Sequence, residues 1–415
     1  MGRGNVVFLV AVGVTGLHIV DDSFVNCEPG TSAGDHLVSG LVPLAGLAAA
    51  AVVYPRVRAG ARGTIALFLG LFALTTSAEG WSDAVEVGPT GDDYSGLVAG
   101  AAGVVLVVLG LVTLWRSRRR GGRWWWRYLR RGLIGVTGLV LLVWVIGPFL
   151  LTYAFTHVAA ARPAAPDLGG ADYREVTFET SDGLRLTGWY LPSTNGAAVI
   201  DFPGRDETEM RVARFLSDAG YGVLLFDPRG EADSEGEPNA YGWDGDKDVE
   251  AAIAFLQGRP EVRPDRIGGI GFSVGGELML QVAAADDDLK AVVSEGAGIR
   301  SHREELELSG VDRWLEFPTY AATTLGTAIF SNSTPPPNLM DLVGKIAPRP
   351  LFLIYAERGQ GGEQLNPAYY AAAGDPKQLW LTESRHVGGY GSDPDRYRAR
   401  VLDFFDGALL QPEAR

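Results

Sequence analysis

The chain has 415 residues, of which 47% are hydrophobic, and its formal net charge is −14. This length indicates more than one folded unit, and the single cysteine, Cys27, excludes both an intrachain disulfide and a metal site made of several thiolates. The acidic residues concentrate after residue 159, where the chain has 41 acidic and 24 basic residues. Binding of nucleic acid phosphates needs clustered Lys and Arg, so we expect no nucleic acid partner.

Apolar stretches before residue 160 predict membrane-spanning helices. They are Val6–Val20, Leu37–Tyr54, Thr64–Ala78, Tyr94–Trp115 and Gly132–Tyr153. A helix needs about 17 to 25 apolar residues to cross the hydrocarbon core of a bilayer, and the fourth and fifth stretches clearly suffice. The first stretch is shorter and has a cleaved signal peptide as its alternative interpretation. We predict an all-α transmembrane bundle of about five helices over residues 1–159.

The connections between these stretches alternate in charge. The second contains Arg56, Arg58 and Arg62, the fourth contains RSRRRGGRWWWRYLRR, and the first and third are acidic. Because Arg and Lys are retained in cytoplasmic loops, the second and fourth connections are predicted to lie inside the cell. The N-terminus is then cytoplasmic and the C-terminal domain extracytoplasmic, and cleavage of the first stretch would not change the side of that domain.

After a Pro-, Ala- and Gly-rich linker at 160–172, residues 173–410 have the pattern of an α/β domain. Strand-like runs are REVTFET, LRLTGWYLP, AAVIDF, YGVLLFD, RIGGIGF, LKAVVSEG, PLFLIYAE and KQLWLTE. The first two flank a Ser-Asp-Gly turn and predict a β-hairpin. The later runs alternate with helical segments, which predicts a mostly parallel sheet covered by helices on both faces. In such sheets, binding and reacting groups gather at the carboxyl ends of the strands.

The segment RIGGIGFSVGGELML contains G-x-S-x-G between a strand and a helix, which is the pattern of a nucleophile elbow. Gly271 and Gly275 leave room around Ser273, where strand and helix cross closely. The same glycine-rich stretch also raises the possibility of a dinucleotide-binding loop, but the G-x-G-x-x-G spacing fails at Val274. The pattern favours Ser273 as a nucleophile, and we expect no cofactor and no metal.

A serine hydroxyl needs a base to take its proton. Beyond residue 160 the chain contains two histidines, His302 and His386. His386 is favoured, because it follows the last strand-like run and can return to the carboxyl edge of the sheet. The third member is expected after PLFLIYAE, where Glu363 is favoured and Glu357 is the alternative; Glu295 is a further candidate.

Hydrolysis of an ester or amide builds negative charge on the carbonyl oxygen, which backbone N–H groups stabilise in an oxyanion hole. Val274, directly after the candidate nucleophile, is predicted to supply one N–H. The second donor is expected in the loop after AAVIDF. Arg205 is favoured there, because Pro203 has no N–H.

At these residues the C-terminal half resembles the α/β-hydrolase family, particularly its dienelactone-hydrolase-like and prolyl-oligopeptidase-like branches. The resemblance is carried by GFSVGG, YGVLLFDPRGEADSEGEP, GWDGDKDVEAAIAFL and DLVGKIAPRPLFLI, and it covers about residues 173–410. It implies an α/β-hydrolase fold with Ser273 as nucleophile, His386 as base and a carboxylate after the LFLI strand. It also implies that the insert at 298–346 lies where this family often carries a lid.

The sequence therefore predicts a membrane-anchored serine hydrolase that cleaves a carboxylic ester, thioester or amide through an acyl-enzyme. A serine peptidase of the prolyl-oligopeptidase-like type and a non-catalytic binding or sensor module on a membrane anchor are the alternatives. We expect a small-molecule or peptide substrate and contact with the lipid bilayer. The sequence leaves the substrate and the oligomeric state open.

Overall fold

The computed structural model describes residues 2–27, 30–78, 80–81, 93–117, 124–158, 172–203, 207–300, 302–308 and 310–411. The chain folds into two compact units. The first comprises Met1–Ala159 together with Pro318–Thr334, and the second comprises Ala160–Phe317 together with Pro335–Arg415.

The first unit is helical. Its helices are α1 (Arg3–Phe24), α2 (Leu37–Val53), α3 (Ala59–Thr76), α4 (Asp93–Arg116), α5 (Trp124–Leu141) and α6 (Gly147–His157), with a π-helical turn at Leu142–Ile146 between the last two. Within the described residues, five helical segments are long and apolar enough to cross a membrane. They coincide with the five apolar stretches of the sequence.

Helices α3 and α4 pack through glycines. A Cβ atom on Gly70 would lie 2.9 Å from the carbonyl oxygen of Gly103, and one on Gly110 would lie 2.8 Å from the carbonyl oxygen of Gly63. Small residues at such positions let two helix backbones approach closely.

The second unit is built on a sheet whose eight strands run in the order β1-β2-β4-β3-β5-β6-β7-β8. The strands are β1 (Arg174–Glu179), β2 (Arg185–Leu191), β3 (Ala198–Phe202), β4 (Gly222–Phe226), β5 (Ile267–Phe272), β6 (Ala291–Glu295), β7 (Leu351–Arg358) and β8 (Lys377–Arg385). Strand β2 is antiparallel to β1 and β4, and the pairs from β4 to β8 are parallel. The predicted hairpin and mostly parallel sheet are confirmed.

Helices cover both faces of this sheet. They are α7 (Glu207–Asp218), α8 (Asp246–Gln257), α9 (Val274–Ala285), α11 (Asn366–Ala372), α12 (Gly389–Ser392) and α13 (Pro394–Phe405), whereas α10 (Asp312–Phe330) lies in the insert between β6 and β7. Residues of α7 and α13 share a buried apolar core with one face of the sheet. On the other face, α8 packs against β3 and β5, and α9 packs against β5 and β6. The strands β3 to β6 are buried along their whole length, which explains their unbroken apolar runs.

The insert between β6 and β7, the predicted lid, is divided between the two units. Helix α10 begins in the second unit, but residues 318–334 belong to the first. Phe330 is 1% exposed in the apolar core of that unit, where its ring centroid lies 5.3 Å from that of Phe149 and 5.5 Å from that of Tyr153. Phe330 also lines an apolar cavity of about 610 Å³ between α2, α3 and α6. Part of the insert is thus a structural element of the helical unit.

Candidate active site

Three side chains singled out from the sequence meet at the carboxyl edge of the sheet. Ser273 directly follows β5, Glu363 lies in the loop after β7, and His386 directly follows β8. Because these strands are parallel, their carboxyl ends lie at the same edge, where side chains from separate loops can converge.

Ser273 has the backbone conformation of a sharp turn, with φ 52° and ψ −121°. A non-glycine residue held at such a positive φ costs on the order of 1–3 kcal/mol, which the surrounding structure must offset. The backbone N–H of Ser273 donates to the carbonyl oxygen of Glu295 at 2.8 Å, and the N–H of Glu277 donates to the carbonyl oxygen of Ser273 at 3.1 Å. The turn is thereby fixed between β6 and the first turn of α9.

The glycines around Ser273 are required by close backbone approaches. A Cβ atom on Gly271 would collide with the carbonyl oxygen of Gly275, and one on Gly275 would collide with the carbonyl oxygen of Phe202. Val274 is the first residue of α9, and N–H groups in the first turn of a helix have no intrahelical acceptor. Arg205, the predicted second donor, lies outside the described residues.

His386 is hydrogen-bonded on both sides of its ring. Its Nδ1 bonds to Oε1 of Glu363, and its Nε2 lies 2.8 Å from Oγ of Ser273. An ionised carboxylate only accepts, so Nδ1 carries the proton and Nε2 of the neutral ring accepts from the serine hydroxyl. The hydroxyl of Ser273, the imidazole of His386 and the carboxylate of Glu363 thus form one hydrogen-bonded chain.

Glu363 is held from several directions. Its side chain is 1% exposed, and it accepts from the backbone N–H of Ala356 at 2.8 Å and of Gln360 at 3.3 Å. Gly362 precedes it with φ 95°, which turns the chain inward. Glu357, the alternative acid, is exposed on β7. The structure therefore brings Glu363 rather than Glu357 to His386.

Hydrogen bonding to Glu363 raises the pKa of His386 above its ordinary value, and the charges of Glu363, Glu277 and Glu295 add to this effect. Partial burial of the ring opposes it. Three carboxylates around one imidazole favour its cationic form, the form that results when the ring takes a proton.

Of these carboxylates, Glu277 has no role in the sequence-based prediction of the site, and Glu295 is there only a further candidate for the acid. Glu277 lies one helical turn after Ser273, where its Oε1 accepts from the N–H of Gly298 at 3.1 Å and its Oε2 lies 3.5 Å from Nη1 of Arg300. The carboxylate of Glu295 accepts hydrogen bonds from Gly389 and Tyr397 rather than bonding to His386. The available signal for Glu277 was a single charged residue within the apolar run GGELML.

A cavity of about 230 Å³ adjoins the elbow. Its wall combines the start of α9, the end of β3 and the segment before α8, and includes Val274, Gly275, Leu278, Phe202, Pro203 and Trp243. His302, the other histidine of this unit, lies in the insert, where its ring centroid is 6.3 Å from that of Phe317.

Residues 155–347 match the family model described as X-Pro dipeptidyl-peptidase (S15 family). The matched residues include Ser273 and end before Glu363 and His386. The chain is also 31% identical over 191 residues to thiohydrolase aneE of Aspergillus aculeatus, covering 43% of this chain and 58% of that protein. These similarities support a hydrolase with an α/β fold.

For other similar proteins, the match to this chain covers a larger share of their length. The uncharacterized protein PA2218 of Pseudomonas aeruginosa is 27% identical over 302 residues, covering 57% of this chain and 81% of that protein. Among solved structures, the esterase Pf2001 of Pyrococcus furiosus is 24% identical with a TM-score of 0.49, covering 61% of this chain and 99% of that chain.

Proposed function

We propose that the second unit is a serine hydrolase that cleaves a carboxylic ester, thioester or amide through an acyl-enzyme. The observation that carries this proposal is the hydrogen bond of 2.8 Å between Ser273 Oγ and His386 Nε2. A hydroxyl is a weak nucleophile until a positioned base accepts its proton, and an imidazole oriented by a buried carboxylate is such a base.

In this mechanism Ser273 Oγ attacks the carbonyl carbon while its proton passes to His386 Nε2. Glu363 retains the proton on Nδ1 and stabilises the imidazolium that forms. His386 then gives the proton to the departing alcohol, thiol or amine, which leaves an ester between Ser273 and the acyl group. A water molecule then attacks the acyl carbon of this ester while His386 Nε2 accepts its proton. His386 returns a proton to Ser273 Oγ, the carboxylic acid is released, and the free serine is restored.

The negative charge of the tetrahedral intermediate requires donors near the carbonyl oxygen. We assign the backbone N–H of Val274 as one of them, because it stands at the N-terminus of α9 beside the nucleophile. Arg205 remains the predicted second donor. The cavity of about 230 Å³ next to Val274 is assigned to a small acyl or leaving group, since pockets for drug-sized ligands measure about 300–1,000 Å³.

A peptidase is the second candidate, and the match of residues 155–347 to a peptidase family favours it. Ser273, His386 and Glu363 would serve ester hydrolysis and peptide hydrolysis alike, so only the substrate distinguishes the two activities. Para-nitrophenyl acetate and an X-Pro para-nitroanilide, offered to the same preparation of the full chain, separate the two. Turnover of the ester alone supports an esterase, and turnover of the anilide supports a peptidase.

A fluorophosphonate probe tests the proposed function directly, because it reacts with activated serines. We expect the full-length protein to be labelled and Ser273→Ala to be unlabelled. Ser181→Ala is the matched control, since Ser181 is exposed in the β1–β2 turn and its loss leaves labelling unchanged. An unlabelled wild-type protein would favour the non-catalytic binding module, and equal labelling of Ser273→Ala would refute the assigned nucleophile.

We further propose that the first unit anchors the protein in a lipid bilayer, with the N-terminus in the cytoplasm and the hydrolase unit outside. The length and composition of its five apolar helices support the anchor, and the arginines of the second and fourth connections support the orientation. Protease added to intact cells is expected to digest the second unit and to spare a tag at the N-terminus. Full protection of the second unit would contradict this orientation.

A further inference from the structure

We propose that Glu295, at the carboxyl end of β6, is a positioning residue that holds the loop of His386 against the elbow of Ser273. This inference rests on the proposed hydrolase function and adds to it a residue that touches neither the substrate nor the reacting atoms. It follows from a set of contacts in which one residue bonds to both sides of the site.

The backbone of Glu295 fixes the elbow. In the register of β5 and β6, Glu295 lies opposite Phe272, the residue before the candidate nucleophile. Its carbonyl oxygen accepts from the N–H of Ser273 at 2.8 Å. The strained turn of Ser273 is therefore tied to the last residue of the neighbouring strand.

The side chain of Glu295 fixes the histidine loop. It belongs to a residue only 2% exposed, and its Oε1 accepts from the N–H of Gly389 at 2.8 Å, three residues after His386. Its Oε2 accepts from the hydroxyl of Tyr397 at 2.6 Å, on α13. Both carboxylate oxygens are thus used to hold the segment that follows His386 against the helix behind it.

Gly296, the residue after Glu295, lies close to the imidazole of His386. It has φ 75°, a conformation that favours glycine, and a Cβ atom there would lie 3.3 Å from Cε1 of His386 and 3.0 Å from Cγ1 of Val387. The histidine ring therefore rests close to the backbone of the residue after Glu295. A small shift of the end of β6 would move the ring relative to Ser273.

A carboxylate at this buried place is costly, because burial disfavours its charged form and raises the pKa of Glu295 to about 7. The bonds from Tyr397 and Gly389 and the charge of His386 oppose that rise, and the charge of Glu363 adds to it. Conversely, the Glu295 charge contributes to the raised pKa of His386, together with Glu363 and Glu277. A positioning carboxylate at residue 295 therefore also acts on the protonation of the base.

The decisive variant is Glu295→Gln in the full chain, because it retains an acceptor for Gly389 and removes the charge. A base must be neutral to act, so activity falls as pH decreases through the pKa of His386. With one nearby negative charge removed, that pKa decreases. We expect the acid limb of kcat/KM for para-nitrophenyl acetate to move to lower pH by up to about one pH unit.

Glu295→Ala removes both side-chain bonds and is expected to lower kcat about 10- to 100-fold, since small misplacements of reacting groups have effects of this size. Tyr397→Phe keeps the carboxylate and removes one of its donors, so its expected result is a smaller decrease in kcat with KM unchanged. If Glu295→Ala does not fold, the Gln and Phe variants still test the inference.

A purely structural role predicts a lower melting temperature for Glu295→Ala with the wild-type kcat, and that result would overturn the positioning role. Failure of the underlying function is distinguishable, because it leaves the wild-type protein itself unlabelled by the fluorophosphonate probe and inactive on the ester. A labelled wild-type protein, with the wild-type kcat in folded Glu295→Ala and an unshifted acid limb in Glu295→Gln, refutes only the inference about Glu295.

Discussion

Replacing His386 with alanine is expected to lower kcat for para-nitrophenyl acetate by about 10⁴-fold, which leaves only the rate that binding and oxyanion stabilisation provide. The physical reason is that Ser273 Oγ then lacks the acceptor that lies 2.8 Å away in the structure. The measurement is steady-state turnover of the purified full chain, with the melting temperature as a check on folding.

His302→Ala is the matched control for this prediction, since it removes the other histidine of the second unit. His302 packs beside Phe317 in the insert, and its loss is expected to leave kcat within a factor of about two. If His302→Ala lost activity and His386→Ala retained it, the assignment of the base would be reversed. Equal losses in two folded variants would also contradict the assignment.

Replacing Glu363 with glutamine has an expected effect of similar size, a decrease in kcat of about 10⁴-fold. The amide can donate to Nδ1 of His386, which places the imidazole proton on Nε2 and prevents that atom from accepting the serine proton. Glutamine retains a carbonyl acceptor for the N–H of Ala356, which Glu363 binds at 2.8 Å, so the loop is expected to keep its fold.

Glu357→Gln is the matched control here, because Glu357 is the exposed alternative on β7. It is expected to retain wild-type kcat and the wild-type pH profile. Loss of activity in Glu357→Gln with normal activity in Glu363→Gln would show that the loop bearing Glu363 is not the one that orients the histidine. Both variants are compared by kcat/KM against pH and by melting temperature.

Local patterns allowed much of the architecture to be predicted. A buried parallel strand shows an unbroken apolar run, as in AAVIDF and YGVLLFD, and helices between such runs indicate crossover connections. The elbow is also local, because a tight turn between a strand and a helix needs glycine on both sides of Ser273. His386 followed from chain order, since it comes after the last strand.

The carboxylates are less predictable, because their roles depend on contacts between segments far apart in the chain. Glu357 lies near the end of β7 and Glu363 lies six residues later in the loop, and only the path of that loop brings Glu363 to His386. Glu295 looked like a further candidate for the same bond, whereas its side chain binds Gly389 and Tyr397. Sequence spacing alone does not distinguish among these three glutamates.

The insert shows the same limit on a larger scale. Its position between β6 and β7 predicts a lid, and only the structure shows that residues 318–334 belong to the helical unit, where Phe330 is buried beside Phe149 and Tyr153. An amphipathic helix shows that one face is covered and not which partner covers it.

The sequence by itself determined the apolar helices, the alternation of strands and helices, and the serine and histidine of the candidate site, because these follow from periodicity, turn chemistry and chain order. The tertiary structure alone decided the order of the strands, the glutamate bonded to His386, the place of Glu295 and the burial of Phe330. Those features depend on which distant segments pack together, and packing is determined by the whole fold rather than by any one segment.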